Sequence, residues 1–243
     1  FREHDQLRLS PDDPEGDYLL ITFLGSTAKG LTIYAGSAAS SLKPGSTGWS
    51  LDEDFLDLSG FYLDAIDELG STIHGREMVA PVLFGDHDTS LDLATFDQAS
   101  DALEPSGLDE SQIDAVATAL ASSPFHLIQG PPGTGKTYTL AQLVQQLIDE
   151  GHRILVTAFT HRAIHQALGK IKALLGDRCP VVKISRPIPG ENLPFDVFDS
   201  YHDSKLVDHE GPCVIGATPF ALWSKRLKSV RFHSIVLDET SQL

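Results

Sequence analysis

The sequence predicts an α/β fold in which a parallel sheet is flanked by helices, and three observations support this prediction. From residue 106 onward, short apolar runs alternate with longer stretches of helical periodicity, the pattern of strands joined by crossover helices. A glycine-rich loop, Gly130–Thr137, follows one apolar run and opens a helical stretch. A second apolar run, Ile235–Leu237, ends in two acidic residues. These observations together predict one domain over residues 106–243.

The elements of this domain follow from the order of its apolar runs. The predicted strands are Phe125–Ile128, Ile154–Ala158, Val181–Ile184, Cys213–Ile215 and Ile235–Leu237. The predicted helices between them are Ser111–Ala121, Tyr138–Ile148 and Ala163–Leu175. Residues 187–212 are rich in Pro, Asp and His, which predicts a surface insertion.

Residues 1–105 differ in composition and form a second predicted domain. Asp17–Phe23 and Leu31–Tyr34 are enriched in aromatic and β-branched residues, which indicates a hairpin. Residues 37–50 are predicted to form a loop. A helical stripe covers Leu58–Leu69, and a weaker one lies near residues 72–83. The acidic run 86–101 is expected to be a solvated connection.

Composition excludes several classes of protein. The chain has 243 residues, of which 41% are hydrophobic and 21% charged, and these values exclude wholesale disorder. No apolar run approaches the roughly 18 residues that a membrane helix needs, so no membrane partner is expected. Two cysteines exclude a disulfide framework and indicate a reducing, cytoplasmic setting. Because the chain begins with Phe1, we expect it to be a segment of a longer protein.

Charge is distributed unevenly along the chain. The net charge of −16 argues against a nucleic-acid partner, but residues 151–186 carry seven basic side chains and one acidic side chain. A second basic cluster follows, made of Lys225, Arg226, Lys228 and Arg231 beside Trp223 and Phe232. Both clusters are candidate contacts for a nucleic acid. The alternative, a solvated surface that binds nothing, stays open.

The segment Gly130-Pro-Pro-Gly-Thr-Gly-Lys-Thr137 fits the pattern of a phosphate-binding loop. Backbone N–H groups of such a loop surround a phosphate, and the following helix adds partial positive charge. Lys136 is expected to reach the β- and γ-phosphates, and the Thr137 hydroxyl to bind Mg²⁺. The predicted nucleotide-binding residues are Gly130, Pro131, Pro132, Gly133, Thr134, Gly135, Lys136 and Thr137.

The acidic pair Asp238 and Glu239 supplies the expected second half of this site. Asp238 is predicted to be a ligand of Mg²⁺, and Glu239 to polarise the attacking water. Glu239 and Lys136 are therefore the predicted catalytic residues. The loop and the acidic pair together predict the hydrolysis of a nucleoside triphosphate.

Five motifs in order resemble those of superfamily 1B helicases, the group that contains the nonsense-decay RNA helicase and the replication helicase–nuclease. They are Leu108–Gln112 (Q motif), Ile128–Thr137 (motif I), Ile154–Gln166 (motif Ia), Val214–Thr218 (motif Ic) and Val236–Gln242 (motif II). The spacing of 102 residues between Lys136 and Asp238 is also longer than in ring-forming AAA+ ATPases, in which the acidic strand usually lies closer to the phosphate loop. The resemblance covers residues 106–243 and implies the first RecA-like P-loop NTPase lobe of a helicase motor, truncated after motif II.

The resemblance implies further residue roles. Gln112 would contact the adenine of ATP, and Gln242 would relate the nucleotide state to a second lobe. Thr160, His161 and Thr218 would contact the phosphates of a single strand. Motif Ia has Phe159 and His161 where many relatives have Pro and Asn. This difference is closer to the helicase–nuclease branch and favours DNA over RNA.

The family also implies neighbouring domains. Residues 1–105 would be a strand-rich accessory domain with a helical stalk, and a second RecA-like lobe would follow motif II. A fused nuclease domain is suggested by analogy with the helicase–nuclease branch. The whole protein would couple ATP hydrolysis to movement on a single strand. Because the second lobe supplies an arginine finger, we expect this segment alone to hydrolyse ATP very slowly.

Two other functional classes stay open. One is an ATP-switched nucleic-acid-binding or scaffold protein that does not unwind its substrate, and the other is a non-helicase P-loop ATPase. A further metal site is also conceivable, since His161 and His165 lie one helical turn apart and Cys179 and Cys213 could join them. The chain lacks the H-E-x-x-H pattern and paired cysteines, so Mg²⁺ is the one metal expected.

Overall fold

The structure is a computed structural model that describes residues 1, 5–11, 17–53, 59–86, 89–188, 190–227 and 230–240, without the side chains of Ala38 and Glu53. The chain divides into two compact units, Phe1–Asp67 and Glu68–Leu243. The predicted division into an accessory domain over 1–105 and an ATPase lobe over 106–243 stays a prediction. Within the described ranges, no helix is long and apolar enough to cross a bilayer.

The first unit contains a four-stranded antiparallel sheet. Its strands are β1 (Gln6–Pro11), β2 (Leu19–Thr27), β3 (Gly30–Tyr34) and β4 (Trp49–Glu53), in the order β3-β2-β1-β4. Strands β2 and β3 confirm the predicted hairpin. Strands β1 and β4 are additional, and β4 with the 3₁₀ helix Gly36–Ser41 occupies much of the stretch predicted as a loop. Apolar side chains on alternate positions of β1 and β2 form one buried face.

Three helical segments follow the antiparallel sheet. Helix α1 (Ser59–Ser71) matches the predicted stripe, although Leu58 lies outside the described residues. A π-helical segment, Gly75–Val79, and helix α2 (Ala80–Phe84) match the weaker pattern near residues 72–83. Every residue of α1 is at least partly exposed to solvent.

The next helices correct one prediction and confirm another. The prediction of a solvated connection over 86–101 is wrong at residues 93–101, which belong to helix α3 (Leu93–Leu103). The Asp92 side chain caps this helix by accepting from the Ala94 N–H (3.0 Å), and Leu103 is fully buried. The acidic residues of this stretch indicated a solvated segment, but they lie on a helix whose other face is apolar. A 3₁₀ helix (Glu104–Ser106) follows, and helix α4 (Glu110–Ala121) confirms the predicted helix. A short antiparallel pair joins β5 (Ser90–Leu91) to β6 (Ser122–Ser123).

A five-stranded parallel sheet forms the centre of the second unit. Its strands are β7 (Arg153–Thr157), β8 (Val181–Ile184), β9 (Asp196–Phe198), β10 (Cys213–Gly216) and β11 (Ser234–Leu237), in the order β11-β7-β10-β8-β9. Every pair in this sheet is parallel. The predicted α/β class, a RecA-like parallel sheet preceded by a strand-rich sheet, is confirmed.

Each face of the parallel sheet is covered by a different part of the chain. Helices α5 (Lys136–Asp149) and α6 (His161–Leu175) cover one face, where their apolar side chains pack against β7, β8 and β10. The other face is covered by residues 201–227, which include a 3₁₀ helix (Tyr201–Asp203) and helix α7 (Pro219–Trp223). Leu206, Ala221 and Leu227 are buried there. Strands β7, β8 and β10 are thus buried on both sides, as central strands of a parallel sheet require. Ile235 and Leu237 of the edge strand β11 are exposed.

Two predictions about this unit are wrong in part. Residues 125–128 form no strand, and Leu127 is 77% exposed. A strand exists only through pairing, and none of the described strands pairs with these residues. The segment 187–212 is also more than a surface insertion, because Asp196–Phe198 forms β9 at the edge of the sheet and Phe195 is buried in the core.

Gly216, the last residue of β10, allows a close approach of the sheet to α6. A Cβ atom at this position would lie 2.4 Å from Leu168 Cδ1 and 2.9 Å from Ile164 Cγ2. Both side chains are fully buried, so neither can move freely away. The helix that carries motif Ia is therefore seated directly on the strand that leads into motif Ic.

We expect Gly216→Ala to lower the free energy of unfolding by about 1–3 kcal/mol, because the added methyl group overpacks this contact. The matched control is Gly169→Ala in α6, where a Cβ would meet only Pro194 Cγ at 4.0 Å. Alanine in mid-helix should stabilise the chain by about 0.5–1 kcal/mol relative to glycine. Urea denaturation measures both variants. Equal stabilities of the two variants would contradict the close approach.

Candidate nucleotide and nucleic-acid site

The phosphate loop, residues 130–137, has a defined backbone geometry. Gly133 and Gly135 have φ angles of +85° and +78°, which are left-handed values that favour glycine. The Thr134 hydroxyl donates to the Pro131 carbonyl (2.8 Å), and helix α5 begins immediately after Gly135. The loop thus folds back on itself before the helix starts. The first N–H groups of α5 have no hydrogen-bond partner within the helix.

Lys136 closes the phosphate loop from within. Its ammonium group donates to the carbonyls of Gly130 (2.6 Å) and Pro131 (3.0 Å). A Cβ atom on Gly130 would lie 2.7 Å from the Thr134 hydroxyl and 3.2 Å from Lys136 Cγ. Residues 131–136 are otherwise exposed to solvent. The loop is therefore an exposed segment in which two backbone carbonyls accept hydrogen bonds from the Lys136 ammonium group.

Gln112 joins helix α4 to this loop. Its Nε2 donates to the Thr134 carbonyl (2.9 Å), and its Oε1 accepts from the Asp109 N–H (3.1 Å). The Asp109 carboxylate in turn accepts from the Gln112 N–H (2.9 Å), which completes a capping box at the start of α4. Hydrogen bonds from Ser111 and from the Gln112 backbone lower the pKa of Asp109. The Gln112 amide therefore serves the cap and the loop at once and retains one N–H for another partner.

The carboxyl ends of the parallel strands bring the other predicted residues to one edge. The Val156 carbonyl of β7 accepts from the Ala217 N–H (3.1 Å), and the Thr157 carbonyl accepts from the Asp238 N–H (2.9 Å). The segments after β7, β10 and β11, which carry motifs Ia, Ic and II, therefore start side by side. Among the described residues, no hydrogen bond joins the phosphate loop to Asp238 or Glu239. Gln242 lies outside the described residues.

The acidic pair adopts an unusual backbone at this edge. Glu239 has a φ angle of 54°, a left-handed value that is uncommon for a residue other than glycine. Its N–H donates to Asp238 Oδ1 (2.9 Å), so one carboxylate oxygen of Asp238 is already engaged. Glu239 is exposed and Asp238 partly buried. Strained conformations of this kind cluster at functional sites.

The three residues predicted to contact a strand differ in their exposure. Thr160 caps α6, since its hydroxyl oxygen accepts from the Ala163 N–H (3.2 Å) and keeps its own O–H to donate. His161 is partly buried in the first turn of the same helix, and Thr218 is buried at the start of α7. Phe159, 44% exposed, lies edge-on to Phe220 with 6.1 Å between the ring centroids.

The basic island does not form a single exposed surface. Arg153 donates to the Tyr201 hydroxyl (2.7 Å), Lys172 pairs with Asp177 (2.9 Å), and Arg178 approaches Asp149 (3.6 Å). Lys183 is buried in β8. The three exposed cations that form no ion pair with a described residue are Arg162, Lys170 and Arg186.

In the second cluster Arg226 pairs with Asp199 (3.2 Å), Trp223 is 43% exposed, and Lys228 lies outside the described residues.

A buried group of titratable side chains lies close to His161 and was missed by sequence reasoning. Lys183 Nζ lies 2.5 Å from His165 Nε2, and His165 Nδ1 lies 3.5 Å from the Glu191 carboxylate. Lys183 is only 3% exposed, and burial lowers its pKa to about 8, against the opposing charge of Glu191. The available signal was a lysine in the middle of the apolar run Val181–Ile184.

The described residues contain no group of three or more His, Cys, Asp or Glu side chains that could hold a metal. His165 is engaged with Lys183 rather than turned towards a cysteine. Both thiols are buried, and burial raises the pKa of Cys179 to about 11. Neither cysteine therefore has the character of a metal ligand or a nucleophile.

Comparison with known proteins identifies the relatives of this site. Residues 107–197 match a family described as AAA domain. Over 142 residues the chain is 29% identical to the DNA replication ATP-dependent helicase/nuclease dna2 of Schizosaccharomyces pombe, covering 56% of this chain and 10% of that protein. The resemblance to superfamily 1 helicases is confirmed.

Two further relatives match shorter segments. Identity is 36% over 80 residues to the DNA polymerase alpha-associated DNA helicase A of S. pombe, covering 33% of this chain and 12% of that protein. It is 39% over 64 residues to the DNA-binding protein SMUBP-2 of Mesocricetus auratus, covering 26% and 6%. The chain thus spans only 6–12% of the length of these three curated relatives.

We expect Gln112→Ala to loosen the phosphate loop. Loss of the hydrogen bond to Thr134 should raise amide hydrogen exchange at Thr134 and Tyr138, whose N–H groups donate to the carbonyls of Pro131 and Gly135, by about fivefold. This is the factor that corresponds to a bond of about 1 kcal/mol. The control is Gln166→Ala, which changes an exposed glutamine of α6. Unchanged exchange in the Gln112 variant would contradict the role of this side chain in holding the loop.

We also expect Lys183 to make stability depend on pH. Its folded pKa of about 8 lies below the ordinary 10.5, so the buried charge destabilises the fold fully below pH 8 and not at all above pH 10.5. The stability advantage of Lys183→Met over the wild-type chain should therefore shrink by about 3 kcal/mol between pH 7 and pH 10.5. Buried thiols titrate in the same range but are common to both proteins. Denaturant unfolding at several pH values measures the difference.

The control for this measurement is Lys170→Met, which removes an exposed lysine of α6. Its stability relative to the wild-type chain should not vary over the same pH range. A stability difference for Lys183→Met that stays constant with pH would show that the Lys183 ammonium is not destabilised by burial.

Proposed function

We propose that this chain is the ATP-binding lobe of an ATP-dependent helicase or translocase that moves along a single strand of nucleic acid, with DNA favoured over RNA. The observation that carries the proposal is the phosphate loop, an exposed segment before α5 in which Gly133 and Gly135 have left-handed φ angles. The Lys136 ammonium donates to the carbonyls of Gly130 and Pro131 in this loop. The names of the relatives support the reaction, since they describe DNA helicases and an ATP-dependent helicase/nuclease.

The donors of the loop suit a triphosphate. The loop offers backbone N–H groups, the start of a 14-residue helix and a flexible ammonium group. Lys136 is bonded to two neutral carbonyls. A phosphate oxygen would be a stronger, charged acceptor for the same ammonium group. Gly130, Pro131, Pro132, Gly133, Thr134, Gly135, Lys136 and Thr137 would hold the nucleotide, and the remaining N–H of Gln112 would be available to the adenine.

Thr137 and Asp238 fit a magnesium ion by the chemistry of their donors. Both provide hard oxygen atoms, and Mg²⁺ is bound by one or two protein oxygens together with phosphates and water. The ion would neutralise charge on the phosphate oxygens. Glu239, on its left-handed backbone, would accept a proton from the attacking water, and Lys136 would stabilise negative charge on the γ-phosphate.

The strand would lie along the carboxyl edge of the sheet. The Thr160 O–H, which is left to donate after capping α6, and His161 would contact phosphates together with Thr218. Arg162, Lys170 and Arg186 are the exposed cations of the basic island and would add sequence-independent affinity. Phe159 and Trp223 are exposed aromatic side chains of the neighbouring segments.

We propose the remaining parts of the motor by the same reasoning. A second RecA-like lobe would supply the arginine finger, with Gln242 relating the nucleotide state to it, and a fused nuclease is suggested by the helicase/nuclease relatives. Residues 1–105 would be the accessory domain. The chain alone should therefore bind ATP but turn it over very slowly.

The proposal predicts the following for the chain and for Lys136→Ala. The wild-type chain should bind a fluorescent ATP analogue in the presence of Mg²⁺. In a separate titration it should bind an oligodeoxythymidine more tightly than an oligouridine. Lys136→Ala should weaken nucleotide binding by at least about tenfold, since it removes a charge-assisted contact with phosphate. Lys29→Ala, in the turn between β2 and β3, is the control.

A second variant separates binding from hydrolysis. Glu239→Gln should keep nucleotide affinity and lose the residual ATP turnover, which strand addition should otherwise increase. Turnover that no strand alters in a protein containing both lobes would favour a P-loop ATPase without a helicase role. Strand-stimulated turnover without unwinding would favour an ATP-switched binding protein.

A further inference from the structure

Lys183, His165 and Glu191 form what we term the buried relay. The Lys183 ammonium can donate to His165 Nε2 at 2.5 Å, which leaves the proton of the neutral imidazole on Nδ1, 3.5 Å from the Glu191 carboxylate. Glu191 and His165 are both largely buried. The relay therefore contains an amino group, an imidazole and a carboxyl group, each within 3.5 Å of the next.

The buried relay joins three separate segments of the second unit. Lys183 lies in β8, His165 in the second turn of α6, and Glu191 in the segment that precedes β9. The His165 ring also packs edge-on against Phe195 of that segment, with 6.1 Å between centroids. One turn earlier on α6, the His161 ring lies 6.5 Å from His165. His165 of the relay thus lies next to the first turn of α6, one helical turn after His161.

Stability alone does not account for this arrangement. Burial lowers the pKa of Lys183 to about 8, so its charged form is disfavoured inside the fold. Apolar side chains of similar size often replace buried ion pairs with no loss of stability or with a gain. Hydrogen-bonded charges are directional, however, whereas apolar contacts are not. The relay therefore contributes defined geometry at α6 more than it contributes free energy.

We propose that the buried relay is a positioning device for strand binding, which holds the first turn of α6 where Thr160 and His161 meet the nucleic acid. This inference rests on the proposed function. Lys183, His165 and Glu191 are positioning residues that do not touch the strand themselves. The device responds to protons, because a proton on His165 Nε2 would replace the attraction of Lys183 by repulsion between two cations facing one carboxylate.

The test measures strand and nucleotide affinities of the full chain separately. The probes are a fluorescein-labelled oligodeoxythymidine and a fluorescent ATP analogue, each titrated between pH 5.5 and pH 8. His165→Leu and Glu191→Gln should each weaken strand binding at pH 8 by about tenfold, a usual size for coupling between sites. Nucleotide affinity should change less than about twofold, since the phosphate loop does not contact the relay.

His165→Gln provides the rescue. Its amide can accept from Lys183 and donate to Glu191 but takes up no proton, so strand affinity at pH 8 should stay near the wild-type value. On acidification the wild-type chain should lose about tenfold more strand affinity than this variant. His202→Gln is the control, because His202 is an exposed histidine of the 3₁₀ helix Tyr201–Asp203 and should retain the wild-type pH profile.

Several results would overturn the proposal. A wild-type strand affinity for His165→Leu, or an equal loss of strand and nucleotide binding, would reduce the relay to a structural contact. A wild-type pH profile for His165→Gln would show that the His165 proton has no part in strand binding.

Hydrogen exchange at residues 190–195 distinguishes failure of the relay from failure of the proposed function. Faster exchange there in Glu191→Gln is expected if the relay anchors this segment, and unchanged exchange would overturn the anchoring itself. A wild-type chain that binds the ATP analogue but no strand would overturn the proposed strand binding, and the role of the relay in it.

Discussion

Strand β7 lies between β10 and β11, and the organisation of the candidate site depends on its pairing. The carbonyls of Val156 and Thr157, at the end of β7, receive N–H groups from Ala217 on one side and Asp238 on the other. Because all three strands are parallel, the chain leaves each of them at the same edge of the sheet. Three motifs that are separated by tens of residues in sequence therefore begin side by side.

Helix α6, which follows β7, is held by contacts on two of its sides. Gly216 lets the sheet approach the apolar side of α6, and the buried relay fixes its polar side near the amino terminus. Thr160 caps the helix at its amino terminus. A helix seated by packing, by a cap and by directional hydrogen bonds has little freedom to tilt.

Electrostatics in this chain is local. The net charge of −16 says little about the carboxyl edge, where the exposed Arg162 and Arg186 follow β7 and β8, and a run of basic residues does not make a basic surface. Four of the seven cations of the basic island are used inside the fold or in pairs with acidic neighbours. Only side chains that stay unpaired and solvated can attract a polyanion over a distance.

Sequence alone determined the α/β class, the positions of α4 to α6 and four of the five parallel strands, since local periodicity and the glycine-rich loop report on these directly. It also singled out Lys136, Asp238 and Glu239. Tertiary structure decided what depends on partners distant in sequence: β9 joins the sheet, residues 125–128 form no strand, and α3 occupies the acidic stretch. The same holds for the hydrogen bond from Gln112 to the phosphate loop and for the buried relay, because a hydrogen bond between distant segments leaves no periodic trace in the sequence.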